Sequence, residues 1–272
     1  MARHEFALFI AQQFARGRIV AINDSESLRR LTSVVRLREG ENVQLFNREE
    51  SIRGIVTLIT KKQIDLEVDE RILLSPLEPA VTILLPTLKK DDLEEALSRL
   101  CALGVTTIQL VETEKVQHSW QFERERDRFE RVMIAAAEQS KQLVLPELLA
   151  PISLENALKS VCIIHEMSTT SPVDQKSLKN VSFAKETGKK GHSVSHKIFF
   201  DPDGEKLTMV MERLVKNVGA TVLFVGPEGD LTDQEKVLIK QHGFIFCALT
   251  PTILRACEAI ALGAGMVRSI LR

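Results

Sequence analysis

Cysteine is scarce in this chain: four in 272 residues, and no two of them form a CxxC pair. Cys101, Cys162, Cys247 and Cys257 are scattered, which argues against a zinc site or a disulfide framework and makes a reducing cytoplasm the expected setting. Long apolar runs are missing too, so no segment reads as a membrane span, and no metal or membrane partner is expected. The opening MARHEFALFI passes directly into polar QQFARGR, so no basic-then-apolar leader is expected either. Global charge is nearly absent, with 36 Lys and Arg against 37 Asp and Glu for a formal net charge of −1. Any dealing with nucleic acid must rest on local basic patches. Phosphate-cradling signatures are lacking as well: there is no GxGxxG and no GKS or GKT.

What is present is enough apolar mass for a sizeable core, 44% hydrophobic residues beside 27% charged ones. The first 75 or so residues read as β-rich. GRIVAI, ENVQLFN, IRGIVTLIT and QIDLEVDE are short Val/Ile/Leu runs parted by turn formers. SESLRRLTSVVRLREGE predicts one or two helical turns and then a strand, and the whole suggests a compact small barrel. LSPLEP (74–79), with two prolines, reads as a linker, which puts the domains at 1–74 and 75–272. Beyond it AVTILLP, TTIQLVE, VCIIHE, KIFFD, TVLFVG and FIFCAL look like buried strands separated by helices, the texture of an α/β domain with a largely parallel sheet. Asp91 or Asp92 is expected to cap the helix DDLEEALSRLCALG and Gly104 to stop it. A stripe of Phe122, Phe129, Val132, Met133, Ala136 and Ala137 predicts a helix over 122–142, and the chain is expected to end in a helix over 252–271. The polar segment 174–197 carries six lysines and reads as a solvated loop or as a basic flap for an anionic partner.

Two stretches carry the chemistry. In LFVGPEGDLTDQE (223–235) an apolar run breaks into Gly-Pro-Glu-Gly, and Thr232 with Glu235 predicts a capping box. Gly226 and Gly229 permit positive φ and let another molecule approach the backbone closely, while Pro227 stiffens the turn. Glu228 and Asp230 would repel phosphate, so a ligand with hydroxyls, amines or positive charge suits the turn better. In LTPTILRACEAIAL (249–262), Arg255 and Glu258 lie three residues apart and so on one helix face. The two stretches could form two walls of one pocket.

These stretches resemble the RsmE family of 16S rRNA (uracil-N3) methyltransferases, of the SPOUT class. GPEG is followed by a Thr-x-x-Glu helix start, then a strand, then L-x-x-x-I-L-R entering the last helix. VVRLREGENVQLFN, LEEALSRLCALGVTTIQLVETEKV and AAAEQS with PEL beyond it match further family segments in order, over nearly the whole chain. The resemblance implies a small PUA-like, RNA-binding β-barrel followed by a SPOUT methyltransferase domain whose C-terminal part threads a trefoil knot. It implies S-adenosylmethionine bent in that knot, held mainly by backbone groups of CIIHEMS (162–168), VGPEG (225–229) and ALTPTILR (248–255). The cofactor-binding residues would be His165, Val225, Gly226, Pro227, Glu228, Gly229, Leu249, Thr250, Ile253 and Leu254. Arg255 would be the cation beside the uracil, with Glu228 and Glu258 accepting a proton or orienting the ligand. Arg29, Arg30, Arg36 and Arg38, joined by Arg3, would contact RNA. The implied partners are 16S rRNA, within the 30S subunit, and a second copy of the chain in a homodimer.

The chain departs from the family pattern at Thr250 (usually Gly), Thr252 (usually Arg), Ala256-Cys257-Glu258 (usually Thr-Glu-Thr), Asp230, Gln142, Val144 and the pair Arg29-Arg30 (usually two His). These departures leave a second expectation open, a non-catalytic RNA-binding protein with a drifted pocket.

Overall fold

The computed structural model describes residues 6–116, 121–169 and 194–271. The chain divides into two compact units, Met1–Pro76 with Met133–Leu145, and Leu77–Val132 with Pro146–Arg272. No helix among the described residues is long and apolar enough to cross a membrane.

The first unit is built on one five-stranded sheet. Its strands are β1 (Phe6–Phe9), β2 (Ile19–Ile22), β3 (Asn42–Phe46), β4 (Glu50–Ile59) and β5 (Ile64–Leu73), in the order β1-β3-β4-β5-β2. Only β1 and β3 run parallel; the other pairs are antiparallel. Inward residues such as Ile22, Leu45, Ile52, Ile64 and Leu66 meet in one core, the period-2 burial expected of half-buried strands. The helical turns fall at α1 (Ser25–Arg29), capped by Asp24 whose carboxylate accepts from Ser27 N at 2.8 Å, and continue as a wide π-type turn over Arg30–Val35. The strand expected directly after them does not form. Arg36 turns left-handed (φ 57°), and β3 begins only at Asn42. Short FALF (β1) escapes sequence reading because four residues carry almost no periodicity.

The second unit holds a six-stranded, all-parallel sheet. Its strands are β6 (Val81–Pro86), β7 (Thr107–Glu112), β8 (Glu147–Ser153), β9 (Val194–Lys206), β10 (Ala220–Val225) and β11 (Ile245–Ala248). The helices are α2 (Lys90–Ala102), α3 (Phe122–Ser140), whose residues from Met133 onward belong to the first unit, α4 (Leu154–Thr169), α5 (Leu207–Lys216), α6 (Asp233–Gln241) and α7 (Ala256–Ile270). The order β11-β9-β10-β6-β7-β8 sets β10 between β9 and β6. A strand paired on both sides and covered on both faces reads as an unbroken apolar run, and every residue of ATVLFV in β10 is buried. Phe199 and Phe224 meet at 5.2 Å between ring centroids, and Phe199 and Phe246 at 4.9 Å, packing across the neighbouring strands β9, β10 and β11.

Three local expectations change. VCIIHE is not a strand: it lies within α4, whose buried Leu154, Ala157, Leu158 and Val161 follow helical spacing. A short apolar run fits either element, and the longer helical period prevailed. Asp91 and Asp92 do not cap α2; Lys89 holds the N-cap position, and both carboxylates sit in the first turn, where the helix dipole favours them. Gly104 (φ 67°) does end that helix, with Leu103 as its C-cap. The last helix starts at Ala256, with Arg255 at its N-cap.

The predicted capping box forms. Glu235 Oε2 accepts from Thr232 N at 2.8 Å, and Thr232 Oγ1 accepts from Glu235 N at 3.3 Å. Glu235 is buried, and its other oxygen accepts from Glu114 N at 2.9 Å, so the box also anchors the chain after β7. Thr232→Ala should cost about 1 kcal/mol, a typical cap loss. Glu235→Ala strips two backbone donors of a charged acceptor and should cost about 2–3 kcal/mol, roughly 5–10 °C in Tm by circular dichroism.

Candidate functional site

A cleft of about 730 Å³ opens at the carboxyl ends of β10 and β11, beside the Phe199–Asp203 stretch within β9, and parallel α/β sheets present ligand sites at such strand ends. Three segments wall it: Phe199–Asp203, Val225–Asp230 without Gly229, and Leu249–Ala256 without Pro251. Of the predicted residues, Val225, Gly226, Pro227, Glu228, Leu249, Thr250, Ile253, Leu254 and Arg255 line it. Gly229 and Glu258 stand just outside the lining. His165 belongs to α4, so CIIHEMS is helix and not a strand-end loop; the His165 side chain lies outside the described residues.

Phe199–Asp203 takes the place expected for that loop. β9 pairs Phe199 with Phe246 and next pairs Glu205 with Cys247, so Phe200–Gly204 leaves the ladder with β11 and bows out, while Phe200 still pairs with Val225 of β10. A Cβ on Gly204 would overlap the Cys247 backbone, so only glycine lets the strand return this close. The signal was in the sequence: KIFF breaks into Asp-Pro-Asp-Gly, a turn former set after a buried run.

Neither glycine of the Gly-Pro-Glu-Gly turn has positive φ; Asp230 does (φ 58°). A Cβ on Gly226 or Gly229 would meet its nearest neighbours at 3.8 and 3.6 Å, ordinary contacts. The backbone therefore does not demand glycine at either position, and what the missing side chain of Gly226 leaves is room at the cleft wall. Asp230 N donates to Pro227 O at 3.0 Å and closes the turn. The Asp230 carboxylate accepts from Leu231 N (2.8 Å) and from Lys236 Nζ (3.1 Å). Lys236 Nζ also reaches buried Asp201 Oδ2 at 3.1 Å. Burial works against charge on both Asp230 and Lys236. Their hydrogen bonds and mutual attraction outweigh it, holding the Asp230 pKa below and the Lys236 pKa above their ordinary values. Glu228 pairs with Lys89 at 3.3 Å, with both side chains largely in solvent.

Arg255 caps α7 and lies among carboxylates. Its guanidinium donates to Glu258 Oε1 (2.9 Å) and Asp92 Oδ1 (3.1 Å), and Glu95 stands at 3.8 Å. The hydrogen bond to Glu258 is the main cause of an Arg255 pKa above its usual value. The same contacts hold Glu258 below its usual range, which makes it a weak proton acceptor. Asp92, Glu95 and Cys257 offer ligand atoms within 4.8 Å of one another. Arg255 already pairs with both carboxylates, and burial pushes the Cys257 thiol up. Thr250 Oγ1 donates to Thr252 O at 2.6 Å, so these two departures build a turn of their own, while Ile253 stands 85% exposed at the lip.

In the first unit Arg29 lines a groove of about 950 Å³ with Leu28, Ile59, Lys61 and Lys62 along it. Arg30 pairs with Glu138. Arg36 is exposed at the left-handed end of the π-type turn, and Arg38 is exposed with its backbone N donating to Glu41. Arg3 lies outside the described residues, as does most of 174–197; of that segment Lys197 Nζ donates to His242 O at 3.1 Å. Lys61-Lys62, in the β4–β5 turn, was the missed basic pair.

The fold has well-matched relatives among solved structures. The ribosomal RNA small subunit methyltransferase E of Neisseria gonorrhoeae, bound to S-adenosyl methionine, superposes with a TM-score of 0.73 at 22% identity, over 98% of each chain. A Legionella pneumophila protein with its cofactor SAM bound gives the same TM-score at 20% identity, also over 98% of each chain. At these identities the likeness speaks for the fold. None of the curated proteins matches the sequence. Residues 75–267 match the family profile described as RNA methyltransferase domain. That match spans most of the chain and the whole of the cleft, and the chain belongs to this family of RNA methyltransferases.

Proposed function

We propose that the protein transfers a methyl group from S-adenosylmethionine to N3 of a specific uridine in 16S rRNA of the small ribosomal subunit. The observation that carries this reading is the cleft formed by Phe199–Asp203, the Gly226–Asp230 turn and the Leu249–Arg255 segment. Its volume suits a drug-sized ligand, Gly226 leaves the backbone open, and its carboxylates Asp201, Asp203, Glu228 and Asp230 suit a cationic ligand and not a phosphate. The residues present therefore fit S-adenosylmethionine, whose contribution when bound is an electrophilic methyl group on a sulfonium.

The chain's own residues then have two tasks. Backbone groups of 225–230 and 249–254 hold and orient the donor, and such placement alone lowers a barrier by up to about 7–11 kcal/mol. Arg255 faces the developing negative charge on the uracil as its N3 proton leaves, with Glu228 as the proton acceptor or orienting group. Glu258 instead aims Arg255, since both its oxygens are already engaged by that residue. Further parts of the reading are a SPOUT domain over 75–272 with a trefoil knot through the β9–β11 region, a PUA-like barrel over 1–74, and a homodimer joined by α7 and the knot. The 30S particle in the cytoplasm would be the working substrate. RNA contact in the first unit would centre on Arg29, Lys61 and Lys62, whose groove offers cations beside apolar Leu28 and Ile59.

One observation favours the alternative, an RNA-binding protein that kept the fold while the pocket drifted: Arg255 is tied to three carboxylates. Calorimetric titration separates the two readings. Micromolar binding of S-adenosylmethionine and S-adenosylhomocysteine is expected, and its absence in the folded protein, with and without 30S particles, would rule out the enzyme. Arg255→Ala should lower kcat about a hundredfold or more while cofactor affinity changes only a few-fold, measured by methyl incorporation into 16S rRNA. Replacing Arg29, Lys61 and Lys62 together by Ala should flatten the dependence of log affinity on log salt by roughly two units, measured with an rRNA fragment in the cell of a fluorescence titration.

A further inference from the structure

Lys236 makes two contacts that nothing in the methyl-transfer chemistry requires. It sits on α6 one residue after Glu235, so the capping box and its anchor on Glu114 hold its backbone in place. From there its ammonium reaches Asp201 Oδ2 in the Phe200–Gly204 bow and Asp230 Oδ2 at the end of the glycine turn, each at 3.1 Å. Asp201 is only 6% exposed, and its other oxygen accepts from Asp203 N at 2.9 Å, which closes the bow on itself. Asp230 holds a left-handed backbone, an uncommon conformation for a residue with a side chain, and that side chain is what Lys236 grips. All three residues line the cleft.

We propose that Lys236 is a positioning residue: its ammonium joins the two loops that wall the cofactor cleft and holds their binding backbone in the shape the ligand needs. The inference rests on the reading of this cleft as the methyl-donor site. The physical argument is preorganisation. One wall is a bow that has left its ladder, and the other is a turn with two glycines, so without a tie both must be ordered when the ligand arrives. A tie from a rigid helix makes that ordering part of folding instead. The charges are consistent with it. One ammonium between two carboxylates leaves one net negative charge, so the tie does not cancel the cleft's preference for a cation. A methionine in place of Lys236 would leave the buried Asp201 carboxylate without its cation.

The test is titration calorimetry with S-adenosylhomocysteine, with Tm measured in parallel, on wild type, Lys236→Met, Lys236→Arg, Asp230→Gly and the double variant Asp201→Asn/Lys236→Met. Lys236→Met is expected to weaken binding about tenfold or more, and Lys236→Arg to restore most of it. The double variant should regain Tm, because no buried carboxylate is left unpaired, yet stay weak in binding. Asp230→Gly relieves the left-handed backbone, so its Tm should hold or rise while its affinity still falls several-fold. Folded variants that bind like wild type would overturn the proposal. So would a double variant whose affinity recovers together with its Tm, since the buried charge alone would then explain the loss. If wild type itself fails to bind, the reading of the cleft falls and this inference falls with it.

Discussion

Parallel pairing of β10 between β9 and β6 is the constraint on which the second unit depends. It forces six consecutive buried positions on ATVLFV, and it brings the carboxyl end of β10 level with Phe200 of β9. β11 then adds outside β9, and the ladder between them breaks at Phe200–Gly204 because five residues of β9 have no partner there. The cleft is what this break leaves open. Gly204 lets β9 rejoin β11 against the Cys247 backbone, and Gly263 of α7 gives the Phe200 ring the space a Cβ would occupy. Packing at two glycines thus shapes one wall of a site whose other wall is a turn in which glycine is not required by φ.

Charge in and around the cleft follows one pattern. Each cation is matched or outnumbered by carboxylates: Lys236 between Asp201 and Asp230, Lys89 beside Glu228, Arg255 among Asp92, Glu95 and Glu258. Such a surface repels a phosphate cradle's ligand and accepts a positively charged one. In the proposed reaction, the guanidinium at the α7 N-cap would be aimed by its carboxylates before substrate arrives, trading some of its electrostatic strength for fixed placement. The first unit shows the opposite balance along its groove, where Arg29, Lys61 and Lys62 cluster on a chain that is nearly neutral overall.

Much of the site was legible because it is local. The Gly-Pro-Glu-Gly turn, the Thr232–Glu235 box and the Leu249–Arg255 segment each lie within a dozen residues, and short-range capping and turn chemistry is enough to read them. Four family-like segments in order along the chain pointed the same way as the profile match over 75–267. What failed was length and register. VCIIHE is as apolar as a strand, but the helix that begins at Leu154 runs through it, and only packing against the sheet distinguishes the two. Asp-Pro-Asp-Gly was visible as a turn, yet its place in the cleft depends on a ladder break that no spacing within β9 announces.

The amino-acid sequence alone determined the element types of its long periodic segments, the capping of α6, the stop at Gly104 and the presence of a carboxylate-bearing glycine turn after a buried strand. These follow from backbone hydrogen bonding and side-chain periodicity over one or two turns of chain. Tertiary structure alone decided the strand order, the bow at Phe200–Gly204, the left-handed backbone at Asp230 and the meeting of Asp201, Asp230 and Lys236 across 35 positions of sequence. The reason is that each of these is set by which strands pair and how closely they pack, and pairing between distant segments is an energy of the folded whole.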